Sequence, residues 1–258
     1  MKPKAIVLRV AGTNCDKETV NALRLVGFET DLVHINEVIR KDVDILDFEL
    51  LVIPGGFSFG DYISAGKVFA IEIYYKLKDS FEEFINKDKF IVGICNGFQV
   101  LVKLGLLPYP NFKQQATLTD NISSRFECRW VYLKTNKNNP SPLSSLPDII
   151  ELPVAHAEGN FFTEENTLKH IIENNLYIFQ YCDSEGKTNV GYPLNPNGSL
   201  YNIAGITDSS GRIIGLMPHP ERFVVSFQHP LYNQINNKLS PSGRLFFELL
   251  YKAIKSNS

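Results

Sequence analysis

The 258-residue chain has no apolar run approaching the roughly 20 residues that a membrane-spanning helix requires. It has no excess of charge of either sign. Its 26 basic and 28 acidic residues leave a formal net charge of −2, which removes any global electrostatic case for nucleic acid or an anionic membrane as partner. Cysteine is scarce. Cys15, Cys95, Cys128 and Cys182 contain no C-x-x-C pair and no His/Cys cluster of zinc-ligand spacing, so neither a metal site nor a disulfide framework is expected. The amino-terminal stretch holds only a short apolar run before polar residues. No secretory signal is expected there, the expected compartment is a reducing cytoplasm, and the sequons at Asn121 and Asn197 are expected to stay unmodified. A phosphate loop is missing too. Five residues rather than four separate Gly60 from Gly66, and Val68 stands where a Ser or Thr would follow Lys67. No G-x-G-x-x-G follows the first apolar run, so no nucleotide site is expected on this chain.

What is present is an ordinary folded composition. Hydrophobic residues make up 44% and charged residues 21%, which excludes a disordered chain. Strand and helix signals alternate over the first hundred residues. Ala5–Val10, Phe28–Ile35, Leu50–Ile53 and Phe90–Ile94 read as short buried strands. Asp16–Val26, closed by Gly27, reads as a helix, as do Val68–Leu77, Ser80–Asn86 and Gly97–Leu104. This order predicts an α/β fold with a doubly wound, mostly parallel sheet flanked by helices in three layers. Further on, Cys128–Leu133 reads as a strand and Asn136–Pro147 as a surface loop. Tyr201–Thr207 and Arg212–Met217 read as an antiparallel hairpin, and Ser242–Ile254 as a closing helix. One domain over residues 1–258 is expected.

The strongest chemical signal is Gly93-Ile94-Cys95-Asn96-Gly97. A strand pattern ends, a Cys follows between two glycines, and a helix begins. This is the nucleophile-elbow pattern with Cys in place of Ser. The helix N-terminus stabilises a thiolate, and the N–H of Asn96 is placed to face an oxyanion. A buried structural cysteine is the plain alternative for any single Cys, but the strand–elbow–helix setting favours the nucleophile. Cys15 also opens a helix after a strand. It lacks the flanking glycines and reads as structural. Ile53-Pro54-Gly55-Gly56-Phe57 ends another strand in two glycines, a loop of the kind that lines the crevice of an open sheet.

A thiolate needs a base, and two H-x-E motifs offer one. His219-Pro220-Glu221 follows an apolar strand, and His156-Ala157-Glu158 follows an apolar run, Leu152-Pro153-Val154-Ala155. In an extended segment residues two apart share a face, so either Glu could orient its His. The prolines around His219 favour it weakly, and spacing alone does not choose. His34 and His170 read as structural or surface residues, and His229 as a surface one.

Pro54-Gly55-Gly56, Gly93-Ile94-Cys95-Asn96-Gly97 and His219-Pro220-Glu221, in that order, resemble the class I glutamine amidotransferases. The resemblance extends along most of the chain, in GTNCD, GGFSFGDY, LGLLP, SRFECRW, PVAHAEGNF, YPLNPNGS and GLMPHPER. Within that class it is nearest the glutaminase subunits of phosphoribosylformylglycinamidine synthase, of purine biosynthesis. The resemblance implies Cys95 as nucleophile, His219 as general acid/base and Glu221 as its orienting partner. It implies Gly56 and Asn96 as the oxyanion hole, and Gln99, Phe57, Arg125 and Phe126 as substrate contacts. It decides the histidine contest and leaves His156 without a role. It implies no cofactor on this chain, with ATP and Mg on a large synthetase partner, and a small accessory subunit beside them. Polar loops at Asn136–Pro147 and around Phe227–Leu239 exceed the family pattern. A different Cys-dependent hydrolase of the same fold and a non-catalytic binding module are the alternatives.

Overall fold

Alternating β-branched runs and amphipathic segments fold as their periodicity requires. The computed structural model describes residues 2–233 and 240–257. The first part runs Lys4–Arg9 (β1), Asp16–Val26 (α1), Glu29–His34 (β2), Ile35–Ile39 (α2), Leu50–Ile53 (β3), Lys67–Asn86 (α3), Phe90–Ile94 (β4) and Asn96–Leu104 (α4). The remainder runs Ala116–Asp120 (β5), Glu127–Thr135 (β6), Ile149–His156 (β7), Glu158–Thr163 (β8), Glu165–Glu173 (α5), Tyr177–Cys182 (β9), Ile203–Thr207 (β10), Ile213–Leu216 (β11) and Ser242–Asn257 (α6).

Nine strands form one sheet in the order β2-β1-β3-β4-β11-β10-β9-β6-β7, while β5 and β8 pair separately. The five strands from β2 to β11 run parallel. Every residue of β3 and β4 is buried, as a strand covered on both faces must be. Helix α3 packs with α4, and α1 with α6, supplying the flanking layers. The expected hairpin is the β10–β11 pair, but it is only the start of an antiparallel extension through β9, β6 and β7. Strand β7 escapes a sequence reading because Pro153 interrupts its alternation. It is tolerated because β7 lies at the edge of the sheet.

Two expected helices, Val68–Leu77 and Ser80–Asn86, are one. Phe69, Ile73, Leu77, Phe81 and Phe84 make an unbroken buried stripe at helical spacing, so nothing interrupts α3. The Asn136–Pro147 segment is not simply a surface loop. It buries Leu143 and Leu146, and Asn139 Nδ2 donates to Asn175 O at 2.8 Å and Thr207 Oγ1 at 3.0 Å. His229 is likewise buried rather than at the surface. Its Nε2 lies 3.1 Å from Glu151 Oε2 and its ring 4.4 Å from that of Trp130, so packing draws it inside. The Phe227–Leu239 insertion is described only to residue 233; residues 234–239 lie outside the described residues. Both sequon asparagines are buried and hydrogen-bonded: Asn121 Nδ2 donates to His156 O, and Asn197 Nδ2 to Tyr181 Oη.

The parallel strands all end at one edge, and the loops after β1, β3 and β4 meet there. Their approach leaves no room for side chains. A Cβ at Gly97 would lie 1.9 Å from the carbonyl oxygen of Ile53. Gly97→Ala is expected to destabilise the chain by about 3 kcal/mol, the upper end of the usual overpacking cost. Urea unfolding checks this, and an unchanged midpoint would contradict the close approach.

Candidate active site

Cys95 is the single residue between β4 and α4, with φ 51° and ψ −105°. A non-glycine residue so held stores strain of about 1–3 kcal/mol, and the surroundings must impose it. They do so from three sides. The Cys95 N–H donates to Leu216 O at 2.8 Å, and the two flanking glycines allow the turn to close. A Cβ at Gly93 would fall 2.6 Å from the Gly97 carbonyl carbon. The Cys95 Sγ lies 3.6 Å from Ala155 O. The N–H of Asn96 opens α4 and has no intrahelical partner.

His219 follows β11. Its backbone N–H donates to Pro153 O at 2.8 Å, tying it to the end of β7. The segment is not extended past His219. Pro220 starts a tight 3-10 turn over Pro220–Arg222, and that turn carries the Glu221 carboxylate back to the imidazole. Nδ1 of His219 lies 2.5 Å from Glu221 Oε1, and both residues are fully buried. Burial works against the imidazolium. Glu221, and the Cys95 thiolate, outweigh it and hold the His219 pKa well above the ordinary value. Nε2 is buried and has no hydrogen-bond partner among the described residues, while Cys95 and Cys15 both act on the ring electrostatically.

Cys15 thus belongs at this site, which its sequence setting does not reveal. It caps α1 at the end of the loop after β1, one strand from β3, and its N–H donates to Gly55 O at 3.2 Å. Arg222 Nη2 lies 3.1 Å from its sulfur. Burial pushes the Cys15 pKa up, against the opposing pull of His219. A Cβ at Gly55 would meet His219 Cε1 at 2.8 Å, Cys15 Sγ at 3.1 Å and Cys95 Cβ at 3.4 Å. Cys15, His219 and Glu221 also bring potential ligand atoms within 4.8 Å of one another. A cation there would sit against the Arg222 guanidinium and compete with the bond between His219 and Glu221, so the set suits a hydrogen-bonded triad better than a metal.

The second H-x-E motif has the same spacing and a different geometry. Strand β7 ends at His156 and β8 begins at Glu158, so the chain turns between them. The Glu158 carboxylate accepts from Ala65 N at 3.1 Å and lies 3.9 Å from Lys103 Nζ. His156 Nδ1 instead meets Asn121 Oδ1 at 3.0 Å. Burial pushes its pKa down to about 3, so it stays neutral.

Cys95, Gly56, Phe57 and Gln99 line one cavity together with Asp61, Ala65, His156 and Glu158. Gly56 has φ 148°, and a Cβ there would approach Asn14 N to 2.7 Å. Asn96 Nδ2 donates to Asp61 Oδ1 at 3.0 Å and to Gln99 Oε1 at 2.9 Å, which locks elbow and loop together. Phe126 stacks on Phe57 with ring centroids 6.5 Å apart, at the cavity mouth. Arg125 is exposed and does not line the cavity.

Residues 2–250 match the model of the CobB/CobQ-like glutamine amidotransferase domain. The phosphoribosylformylglycinamidine synthase subunit PurQ of Methanococcus maripaludis is 44% identical over 100% of this chain and 95% of its own. That of Dehalococcoides mccartyi is 47% identical over 89% of each chain. The chain belongs to this family. Among solved structures, that of PurLQS from Thermotoga maritima has a chain with a TM-score of 0.73 and 32% identity, covering 98% of this chain and 100% of that one. A second Thermotoga maritima glutamine amidotransferase, at 15% identity and a TM-score of 0.58, shares the fold.

Within the amidotransferase cavity Asp61 carries an electrostatic cost. Burial first, and then the Glu158 carboxylate, push its pKa up to about 6 from 3.8. A raised carboxyl favours the protonated folded state, so its contribution to stability falls as pH rises from about 4 through 6. Asp61→Asn, which cannot ionise and tolerates the positive φ of 53°, is expected to melt above the unaltered chain at pH 7.5. The gap should close as pH is lowered towards 4. Melting curves across that range check the sign.

Proposed function

We propose that this chain hydrolyses glutamine to glutamate and ammonia through a thioester on Cys95. It delivers the ammonia to a synthetase subunit that makes formylglycinamidine ribonucleotide from formylglycinamide ribonucleotide. The observation that carries this is the buried imidazole of His219, paired to Glu221 through Nδ1 and electrostatically coupled to Cys95 at the strand–helix elbow, in a chain of the amidotransferase family.

In this reading the Cys95 thiolate attacks the side-chain carboxamide of glutamine. The N–H groups of Gly56 and Asn96 stabilise the oxyanion; a lost donor of this kind costs about 3 kcal/mol of barrier. His219, held as an imidazolium by Glu221, gives its proton to the departing ammonia. The neutral imidazole then takes a proton from the water that cleaves the thioester. Gln99 fixes one wall of the pocket. Phe57, stacked with Phe126, closes its mouth, and Arg125 stands outside it. The whole chain works as one glutaminase unit.

Free ammonia at neutral pH is mostly ammonium and a poor nucleophile, so a shielded route to a partner suits the chemistry. ATP and Mg belong to the large synthetase partner, with a small accessory subunit completing the assembly in the cytoplasm. Exposed apolar residues near the mouth, among them Phe57, Tyr62, Ile63 and Phe126, suit a docking surface.

Cys95→Ala is expected to abolish glutamine-dependent synthesis by the complex while ammonia-dependent synthesis continues. Trapping with a glutamine-analogue electrophile, read by mass spectrometry, should label Cys95 and spare Cys15; label on Cys15 alone would overturn the assignment. Glu221→Gln leaves the imidazole without its orienting carboxylate and should lower the glutaminase kcat on the order of 10³-fold. An unchanged kcat would refute that role.

A further inference from the structure

The His156-Ala157-Glu158 motif takes no part in the base chemistry, yet His156 and Glu158 line the cavity that holds Cys95. Their neighbour across it is Asp61. Two carboxylates therefore line this space, and Lys103 lies beside Glu158. Lys103 is buried, donates to Ser64 Oγ at 3.0 Å and to Ala65 O, and lies 3.9 Å from Glu158 Oε2. Asp61 accepts only from neutral donors, Asn96 Nδ2 and the Gly66 N–H. Asp61 and Glu158 thus place two carboxylates beside the same lysine.

His156 adds a second, independent demand. Asn121 uses its Nδ2 to donate to Arg125 O at 2.9 Å and His156 O at 2.7 Å. Its Oδ1 accepts from Gly159 N at 3.0 Å and faces His156 Nδ1 at the same distance. Nδ1 must therefore carry the imidazole proton, which leaves Nε2 with a lone pair. That atom is buried and has no hydrogen-bond partner among the described residues. Since the ring stays neutral, Nε2 can only accept. A buried acceptor without a donor is costly, and few persist in folded proteins.

A group with positive charge and several N–H donors answers both demands, and an ammonium has three donors and no acceptor. Glutamine carries one on its α-carbon, a short apolar chain away from the carboxamide that Cys95 would attack. We infer that Asp61, Glu158 and the Nε2 of His156 form the seat of the substrate's α-ammonium group. This rests on the glutaminase reading and makes the three residues selectors of α-amino acids among carboxamides.

The test compares glutamine with glutaramate, which has the same carboxamide and carboxylate and no α-ammonium. Both are offered to the complex of the chain with its synthetase partner. The unaltered complex should use glutamine with a kcat/KM about 100-fold above that for glutaramate, the scale set by hydrogen bonds to a charged group. In Asp61→Asn, glutamine should lose about 100-fold, mainly in KM, while glutaramate changes less than about threefold. Glu158→Gln should act in the same direction and serves if Asp61→Asn fails to fold. A purely structural role would lower both substrates together, and that result would overturn the inference. So would an unaltered complex that hydrolyses both equally. If the unaltered complex fails to hydrolyse glutamine, the glutaminase reading falls, and this inference with it.

Discussion

The site depends on one steric constraint: the loops after β1, β3 and β4 approach so closely that glycine alone fits between them. Gly97 lies against the Ile53 carbonyl, Gly93 against Gly97, and Gly55 against His219, Cys15 and Cys95. Parallel strands all finish at one edge, so any reactive group at a strand end faces the same crevice. The glycines then set how near those groups come. The strained backbone of Cys95 follows from that packing, because its N–H must reach Leu216 O while α4 starts immediately after it.

Charge is organised around the same crevice in two parts. On one side a carboxylate, an imidazole and two thiols, all buried, and a half-buried guanidinium gather around Glu221, His219, Cys15 and Arg222. These charges are paired, which is the condition under which buried ions persist. On the other side Asp61 and Glu158 share a single lysine.

The second thiol changes how the imidazole should be viewed. His219 is paired to Glu221 through Nδ1, and two cysteines act on the same ring. Arg222 lies against Cys15, and Ala155 O against Cys95, so the two thiols sit in different fields although they meet the same ring. The environment of each sulfur, more than its distance from the histidine, distinguishes them.

Much of this was legible in the chain itself. Buried runs such as Leu50–Ile53 and Phe90–Ile94 announce strands, and the Gly-x-Cys-x-Gly pattern announces a tight strand-to-helix elbow, because local sterics permit few residues there. Asp16–Val26 is the helix its spacing describes. The family resemblance implies Cys95, His219 and Glu221 as the reacting set. What no local pattern holds is which of two H-x-E pairs is a pair. Pro220 begins a turn that returns Glu221 to His219, whereas a bend at Ala157 sends His156 and Glu158 into two different sheets. Nor does sequence distance show that Cys15 meets His219, or that Asp61 shares a cavity with Glu158. Those juxtapositions arise from strand order and crossover, which bring remote segments to one edge of the sheet. Residue identity determined which reactions are available, and the tertiary packing decided which atoms can take part.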